Sequence, residues 1–345
     1  MKRDKLLEEG DATAGAWAAD LISRARAGDG DAFRALTDPH RRALQAHCYR
    51  MLGSFQDSED AMQDTLLAAW QGLGGFEERA SVRTWLYRVT TTRCLNVRRS
   101  ARRRQGPLLP GPPPPEPTRL GEVTWLEPCP DSLMEALPDA EPGPEARYEA
   151  REAISLAFIT AVQRLPPRQR AALILRDVLG FPAGEAARIL GSTEESVTSA
   201  LKRARATLRQ HDANTAEPPP APESAREKQL IERLTRAYEA GDVDGIIALF
   251  TDDAWLTMPP APLEYQGRDP IARFLTTIAF RDGRTYRLLP TRANGQLALA
   301  AYLHAPRPGD EQANGLLVLT LSGDRIQAMT RFTSGVFPRF GLPPS

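Results

Sequence analysis

Val197, Leu201, Ala204 and Leu208 recur at spacings of four, three and four, which makes one apolar stripe on an α-helix. Ser196, Ser199, Lys202, Arg203, Arg205 and Arg209 fall elsewhere on that helix. Cationic and hydroxyl side chains opposite a buried stripe suit phosphate and base-edge contacts in a DNA major groove. A short helix is expected just before it, over Ala183 to Leu190, with Gly191 turning the chain. Ser192, with Glu195 three residues on, reads as a capping box for the second helix. An ordinary helix pair with a solvated basic face has the same pattern. The preceding helix, the tight glycine turn and the basic tail together favour DNA.

A second constellation is acidic. Asp57, Glu59, Asp60, Gln63 and Asp64 stand on a helix expected from Asp57 to Leu73, away from an apolar face of Met62, Leu66, Ala69, Trp70 and Leu73. Acids near a helix N-terminus complement its dipole, which explains Asp57 to Asp60 but explains Asp64 less well. A basic helix is expected next, from Ser81 to Asn96. It carries Arg83, Arg88 and Arg93, and Arg98, Arg99 and Arg102 to Arg104 follow it. Arginines beside Trp85 and Tyr87 suit single-stranded or distorted nucleic acid, although Trp85 itself fits a core position better.

Other chemistry is weaker. His40, His47 and Cys48 invite a metal reading, but histidines on an arginine-rich helix are more often structural. Cys48, Cys94 and Cys129 are odd in number and widely spaced, so they make neither a disulfide framework nor a zinc pattern. No metal and no cofactor is expected. Near the C-terminus, Asp252, Asp253, Asp269 and His304 are the groups available for acid–base work. Trp255, Met258, Tyr286, Tyr302, His304 and Phe332 form a candidate pocket. Turn chemistry also accounts for Asp252 and Asp253, so the expectation is a chain that is not an enzyme.

These residues need elements to hold them. A chain of 345 residues implies two or three domains. Its 44 basic and 44 acidic side chains balance overall but not locally. Residues 1–105 hold 18 basic and 14 acidic groups, 106–150 hold 2 and 9, and 151–216 hold 10 and 6. Two basic blocks thus flank an acidic, proline-rich one, which suggests two nucleic-acid-facing modules around a linker that avoids DNA. Residues 106–146 are expected to be extended and mobile, except for an island at Trp125 to Asp131 that suggests a docking contact. A second linker covers 213–225. The modules are then 17–105, helical; 147–212, the helix-turn-helix; and 226–342, helices followed by strands. In the last module the strands are expected over Ala254 to Met258, Thr285 to Thr291, Gln296 to His304, Gly315 to Leu321 and Arg325 to Phe332. No membrane span and no signal-peptide core is present, so a reducing, cytoplasmic setting is expected.

Phe55-Gln56-Asp57-Ser58-Glu59-Asp60-Ala61-Met62-Gln63-Asp64, then Thr84-Trp85-Leu86-Tyr87-Arg88, then the helix-turn-helix, resemble in order and spacing the bacterial sigma-70 factors of the extracytoplasmic-function type. The resemblance covers roughly residues 17–210. It implies that Asp57, Glu59, Asp60, Gln63 and Asp64 grip the clamp of the largest subunit of core RNA polymerase, with a further contact to the flap region. It implies that Arg83, Arg88, Thr91, Thr92, Arg93 and Asn96 read and open the minus-ten element of promoter DNA. Thr193, Glu194, Ser196, Thr198, Ser199, Lys202 and Arg203 would read the minus-thirty-five element. The family often has Asn at the position of Thr92 and Asp at that of Asn96, which bears on the exact minus-ten preference. The last module resembles the SnoaL/NTF2-like fold, an α+β cone, through Tyr265-Gln266-Gly267-Arg268 and Phe337-Pro338-Arg339-Phe340-Gly341-Leu342-Pro343. Together with Trp125-Leu126-x-Pro128 it is similar to a subgroup whose C-terminal extension regulates the factor in cis. The implied fold is two all-α sigma domains, domain 2 and a helix-turn-helix domain 4, followed by that cone. The implied partners are core polymerase, promoter DNA and either an anti-sigma factor or a small ligand. The alternative reading is a DNA-binding regulator fused to a small-molecule-binding or isomerase-like SnoaL domain.

Overall fold

The computed structural model describes residues 19–77, 80–97, 113–121, 126–133, 153–209, 217–304 and 311–343. Its helices are α1 (19–26), α2 (Gly30–Leu52), α3 (Phe55–Gly72), α4 (Val82–Asn96), α5 (Leu156–Gln163), α6 (Pro167–Leu173), α7 (Ala183–Leu190), α8 (Glu194–Arg209), α9 (Ala225–Glu239), α10 (Val243–Ile247) and α11 (Arg268–Phe274). Its strands are β1 (Arg119–Leu120), β2 (Phe250–Met258), β3 (Ala261–Gln266), β4 (Tyr286–Ala293), β5 (Gln296–Leu303), β6 (Gln312–Ser322) and β7 (Arg325–Thr333). They form two compact units. One takes residues up to 98 and Leu165–Thr207; the other takes most of the remainder, including α5.

Caps set the helix ends in the first unit. Asp29 accepts hydrogen bonds from the backbone N–H groups of Asp31 and Ala32, and α2 stops at Gly53, whose φ of 72° suits a residue without Cβ. Ser54 and Ser81 cap α3 and α4 in the same way. Thr193, not Ser192, caps α8, because its Oγ1 accepts from the Ser196 N–H at 3.2 Å. The apolar faces then meet in one core. Leu44, Met62, Leu86 and Tyr87 pack with Leu175, Phe181, Ile189 and Val197. The Tyr87 and Phe181 rings meet edge to face at 5.0 Å. The helix-turn-helix and the α2–α4 bundle therefore share a core.

The second unit is a seven-stranded sheet in the order β1-β3-β2-β7-β6-β5-β4, with β2 and β7 parallel and the other neighbours antiparallel. On one face Leu230, Leu234 and Tyr238 of α9 and Ile271 and Phe274 of α11 pack against Leu256, Leu299, Leu317 and Met329. β3 was not expected, since Pro259, Pro260 and Pro262 argue against a strand. Leu263 and Tyr265 nonetheless alternate inward between β1 and β2.

The acidic linker departs from the expectation of a mobile chain. Its segments 113–121 and 126–133 pack within the second unit. β1 pairs with β3, and the Tyr265 hydroxyl donates to Pro115 O at 2.8 Å. Leu126 and Cys129 are buried. Trp125 lies outside the described residues, as do Arg98, Arg99 and Arg102 to Arg104.

Candidate nucleic-acid interface

α8 buries Val197, Leu201 and Ala204 against its unit and leaves the opposite face open. Thr193, Glu194, Ser196, Thr198, Ser199, Lys202 and Arg203 are all exposed. Arg205 is tied back to Asp177 by two bonds of 2.6 and 2.8 Å, which fixes α8 on the segment before α7. Gly191, at φ 58°, makes the left-handed turn between α7 and α8. The result is a basic, hydroxyl-bearing helix on a packed helical support, the arrangement that a groove-reading helix needs.

α4 divides its expected residues. Arg83, Arg88, Thr92, Arg93 and Asn96 are exposed, but Thr91 is fully buried. Its hydroxyl lies 2.9 Å from His47 Nε2, so Thr91 is a core residue and its assignment to DNA reading is corrected. Arg83, though exposed, has its guanidinium over the Phe181 ring, 4.6 Å from the centroid. Arg88, Thr92, Arg93 and Asn96 instead line a groove of about 1030 Å³ together with Phe76, Trp85 and Arg188. That groove offers cations, amide and hydroxyl groups and two aromatic rings, the set that holds an unstacked strand, with the Glu77 carboxylate also in its lining.

On α3, Glu59, Asp60, Gln63 and Asp64 are exposed and Asp57 is half-buried. Leu67 continues the line of Asp60, Gln63 and Asp64 at helical spacing and is 56% exposed. An open leucine flanked by acids suits a protein partner better than solvent. Leu67 lies outside the residues predicted for this face, and Trp70, expected on the core face, is 38% exposed at the edge of Phe33.

The histidine–cysteine cluster is structural. Burial, aided by the nearby Arg50 charge, holds His47 neutral and pushes its pKa down to about 3. Cys48 and Cys94 are buried neighbours, and their mutual hydrogen bond and burial raise the Cys48 thiol. Among the described residues no group of three or more His, Cys, Asp or Glu is placed to hold a metal.

In the second unit, a cavity of about 240 Å³ opens on the helix-covered face of the sheet. Of the six pocket residues expected, only Tyr286 lines it. Met258 lies in the adjoining core. Trp255 carries the Arg119 guanidinium on its ring at 5.2 Å. Tyr302 packs on Phe337 and donates to Pro343 O at 3.0 Å, and Phe332 is buried opposite Leu316. His304 is exposed, 3.8 Å from the Glu311 carboxylate. Asp252 pairs with Arg268 at 2.9 Å, and Asp253 and Asp269 are exposed. Neither a carboxylate nor an imidazole is among the described residues lining the cavity.

The linker is held by Asn294, a residue outside every predicted site. Asn294 Oδ1 accepts from the Cys129 N–H at 2.9 Å, and its own N–H donates to Cys129 O at 2.9 Å. Its Nδ2 donates to Ile154 O at 2.8 Å. Nearby, Asp131 Oδ1 accepts from the Gly295 N–H, and Gln296 Oε1 accepts from the Leu156 N–H. Glu127 pairs with Arg339 at 2.9 Å. One hairpin tip thus gathers the linker and the start of α5.

Comparison with known proteins gives these surfaces a context. Residues 36–104 match the Sigma-70 region 2 family, 155–208 match Sigma-70 region 4, and 231–329 match the SnoaL-like domain. The chain is 40% identical over 324 residues to the ECF RNA polymerase sigma factor SigG of Mycobacterium tuberculosis, covering 91% of this chain and 84% of the relative. It is 30% identical over 250 residues to the ECF RNA polymerase sigma factor SigJ of the same species, covering 70% and 72%. The crystal structure of SigJ shares the fold, with a TM-score of 0.58 at 22% identity over 91% of this chain and 99% of that one. A chain with both sigma-70 regions in order, a SnoaL-like domain after them and this degree of identity over nearly its whole length belongs to the extracytoplasmic-function RNA polymerase sigma factors.

Proposed function

We propose that the three exposed helix faces divide the work of a sigma factor. The α3 face, with Asp60, Gln63, Asp64 and Leu67, docks on the polymerase clamp. Arg88, Thr92, Arg93 and Asn96 of α4 bind the opened minus-ten strand in their groove. Thr193, Glu194, Ser196, Thr198, Ser199, Lys202 and Arg203 of α8 read the minus-thirty-five duplex. The single observation that carries this reading is the separation of faces. Each helix buries one face, mostly apolar on α3 and α8 and half threonine on α4, and exposes a chemically distinct set, acidic with a leucine on α3 and basic with hydroxyls on α4 and α8. The module boundaries proposed are 17–105, 147–212 and 226–342, with linkers at 106–146 and 213–225.

The SnoaL-like domain acts in cis and does no chemistry. The described cavity lining offers guanidiniums, an amide and phenols, groups suited to holding a ligand. The grip of Asn294, Asp131 and Arg339 on the linker supports a regulatory role, because it lets this domain set how far the chain between the two sigma regions can extend. No described helix is long and apolar enough to cross a membrane. The test is transcription in vitro on fragmented genomic DNA with purified core polymerase, with and without the full chain. Transcript starts that depend on the chain and share two upstream elements are expected. No new starts with either the full chain or a chain ending at Asp212 would defeat the reading.

A further inference from the structure

The cavity of the SnoaL-like domain has a composition that assigns it a ligand class. Its floor and walls are apolar and aromatic, with Tyr238 of α9, Phe274 of α11, Tyr286 of β4 and Met329 of β7 among them. Against this background stand three guanidiniums, Arg281, Arg284 and Arg331, and the amide of Asn314. No carboxylate is among the described lining residues to neutralise them. Three positive charges beside a hydrocarbon surface are unfavourable unless something negative joins them.

The individual arginines sharpen the point. Arg331 is aimed by Asn314, whose O and Oδ1 accept from Arg331 Nη2 at 3.1 and 3.0 Å. Arg281 Nε is buried with no hydrogen-bond partner, and the carboxylate beside it, Asp282, is 85% exposed and 4.0 Å away. Buried donors of this kind are nearly always satisfied in a functional state. Arg281, Arg284 and Arg331 line the same cavity as Tyr286 and their charges all act on its phenol, so they converge on one region. The Tyr286 hydroxyl itself donates to Ala279 O at 2.7 Å.

We propose that this cavity binds a small organic acid, with its carboxylate on Arg281, Arg284 and Arg331 and its apolar body against Tyr238, Phe274 and Met329. The volume of about 240 Å³ is roughly eight waters' share of liquid, which suits an acid of about ten non-hydrogen atoms. Burial raises the pKa of both Tyr238 and Tyr286, so the phenols stay protonated and add no negative charge that would compete with the acid. Planar, forked guanidiniums match a carboxylate bidentately, whereas a neutral amide of the same shape loses the charge-assisted bonds. This inference does not rest on the roles proposed for α3, α4 and α8.

The test is titration calorimetry on the full chain with 3-phenylpropionate and octanoate, against 3-phenylpropanamide as the neutral match. Saturable binding of an acid is expected, at least tenfold tighter than the amide. Arg281→Gln should weaken it at least tenfold while the melting temperature holds. Ile278→Trp, which fills the cavity from a partly buried position, should abolish it. Should either variant lose its fold, the acid-against-amide ratio on the unaltered chain still decides. Equal binding of acid and amide, no saturable binding of either acid, or full affinity in a folded Arg281→Gln would overturn the proposal.

Discussion

The Thr84 hydroxyl of α4 donates to the Glu185 carboxylate of α7 at 3.0 Å, across 101 residues of chain. It joins the helix proposed to bind the minus-ten strand to the first helix of the motif proposed to read the minus-thirty-five duplex. Tyr87 on Phe181, and Arg170 donating to Met51 O, reinforce the same junction. Two promoter elements about 25 base pairs apart are separated by roughly 85 Å of duplex. α8 has 16 residues, a length of about 24 Å, and it follows α7 after one turn. With the roles proposed for them, α4 and α8 therefore lie far too close together here to engage both elements.

The first prediction follows from that mismatch. Thr84→Cys with Glu185→Cys, joined by a short bismaleimide, should abolish transcription from a promoter that needs both elements. The unlinked double variant should retain it. A fully linked protein that transcribes normally would show that this junction never opens. Glu185→Ala alone should favour the open form modestly, by the ~1.5–3 kcal/mol of a hydrogen bond to a charged group, less what solvent returns.

The acidic face offers a second test. Asp60→Arg with Asp64→Arg should reduce binding to core polymerase at least a hundredfold in a pull-down titration. Both residues are exposed, so stability should move by no more than ~0.5 kcal/mol. Leu67→Ser should weaken binding without altering charge. Unchanged affinity in both variants would leave the face to solvent.

For α8, Lys202→Ala and Arg203→Ala should each lower the salt dependence of promoter binding. Each lost phosphate contact reduces the slope of log K against log salt by about 0.9. Weaker binding with an unchanged slope would instead assign the side chain to base edges.

Asn294 is the hinge of a fourth expectation. It is fully buried at φ 57°, a left-handed position that Asn tolerates. Asn294→Ala strands Cys129 N–H and Ile154 O, at ~1–3 kcal/mol for each buried group left unpaired, and strains the backbone. Asn294→Gly keeps the turn and removes only the side chain. Both variants should be cut faster by protease within residues 113–133, the alanine form more so, and both should change transcriptional output. Cutting at the unaltered rate would mean that the linker is held elsewhere.

How far these features were legible depended on whether their causes were local. α7, Gly191 and α8 were readable because turn and stripe lie within one short segment. The burial of Thr91 was also written in the sequence. Thr84, Tyr87, Thr91 and Cys94 recur at three, four and three residues, and all are buried, so helical period outranks residue chemistry there. Asn294-Gly295 between two apolar runs was a hairpin signal of the plainest kind. The pocket failed for a different reason. β4 and β5 pair Tyr286 with Leu303 and Arg287 with Tyr302, so Tyr302 stands on the face opposite Tyr286. Alternation within each strand was visible, but the register that joins the strands was not. The docking of the linker depends on partners 140 to 165 residues away, and no local pattern announces it.

The last prediction concerns acid. His47 is completely buried among α2 and α4 with its pKa pushed down to about 3, whereas an unfolded histidine titrates near 6.5. Between those values the unfolded chain binds a proton that the folded chain refuses. Stability from this group is therefore fully present above about pH 6.5 and is lost as pH falls towards 3, at ~1.4 kcal/mol per pH unit. Carboxylic acids in general protonate in the lower part of that range, so the decisive quantity is a difference. Denaturant midpoints measured from pH 7.5 to 5 should fall for the natural chain and fall less steeply for His47→Gln, which is less stable at pH 7.5 but does not protonate. Parallel curves for the two would mean that the folded core accepts a proton on His47 as readily as the unfolded chain does, which would overturn the assignment.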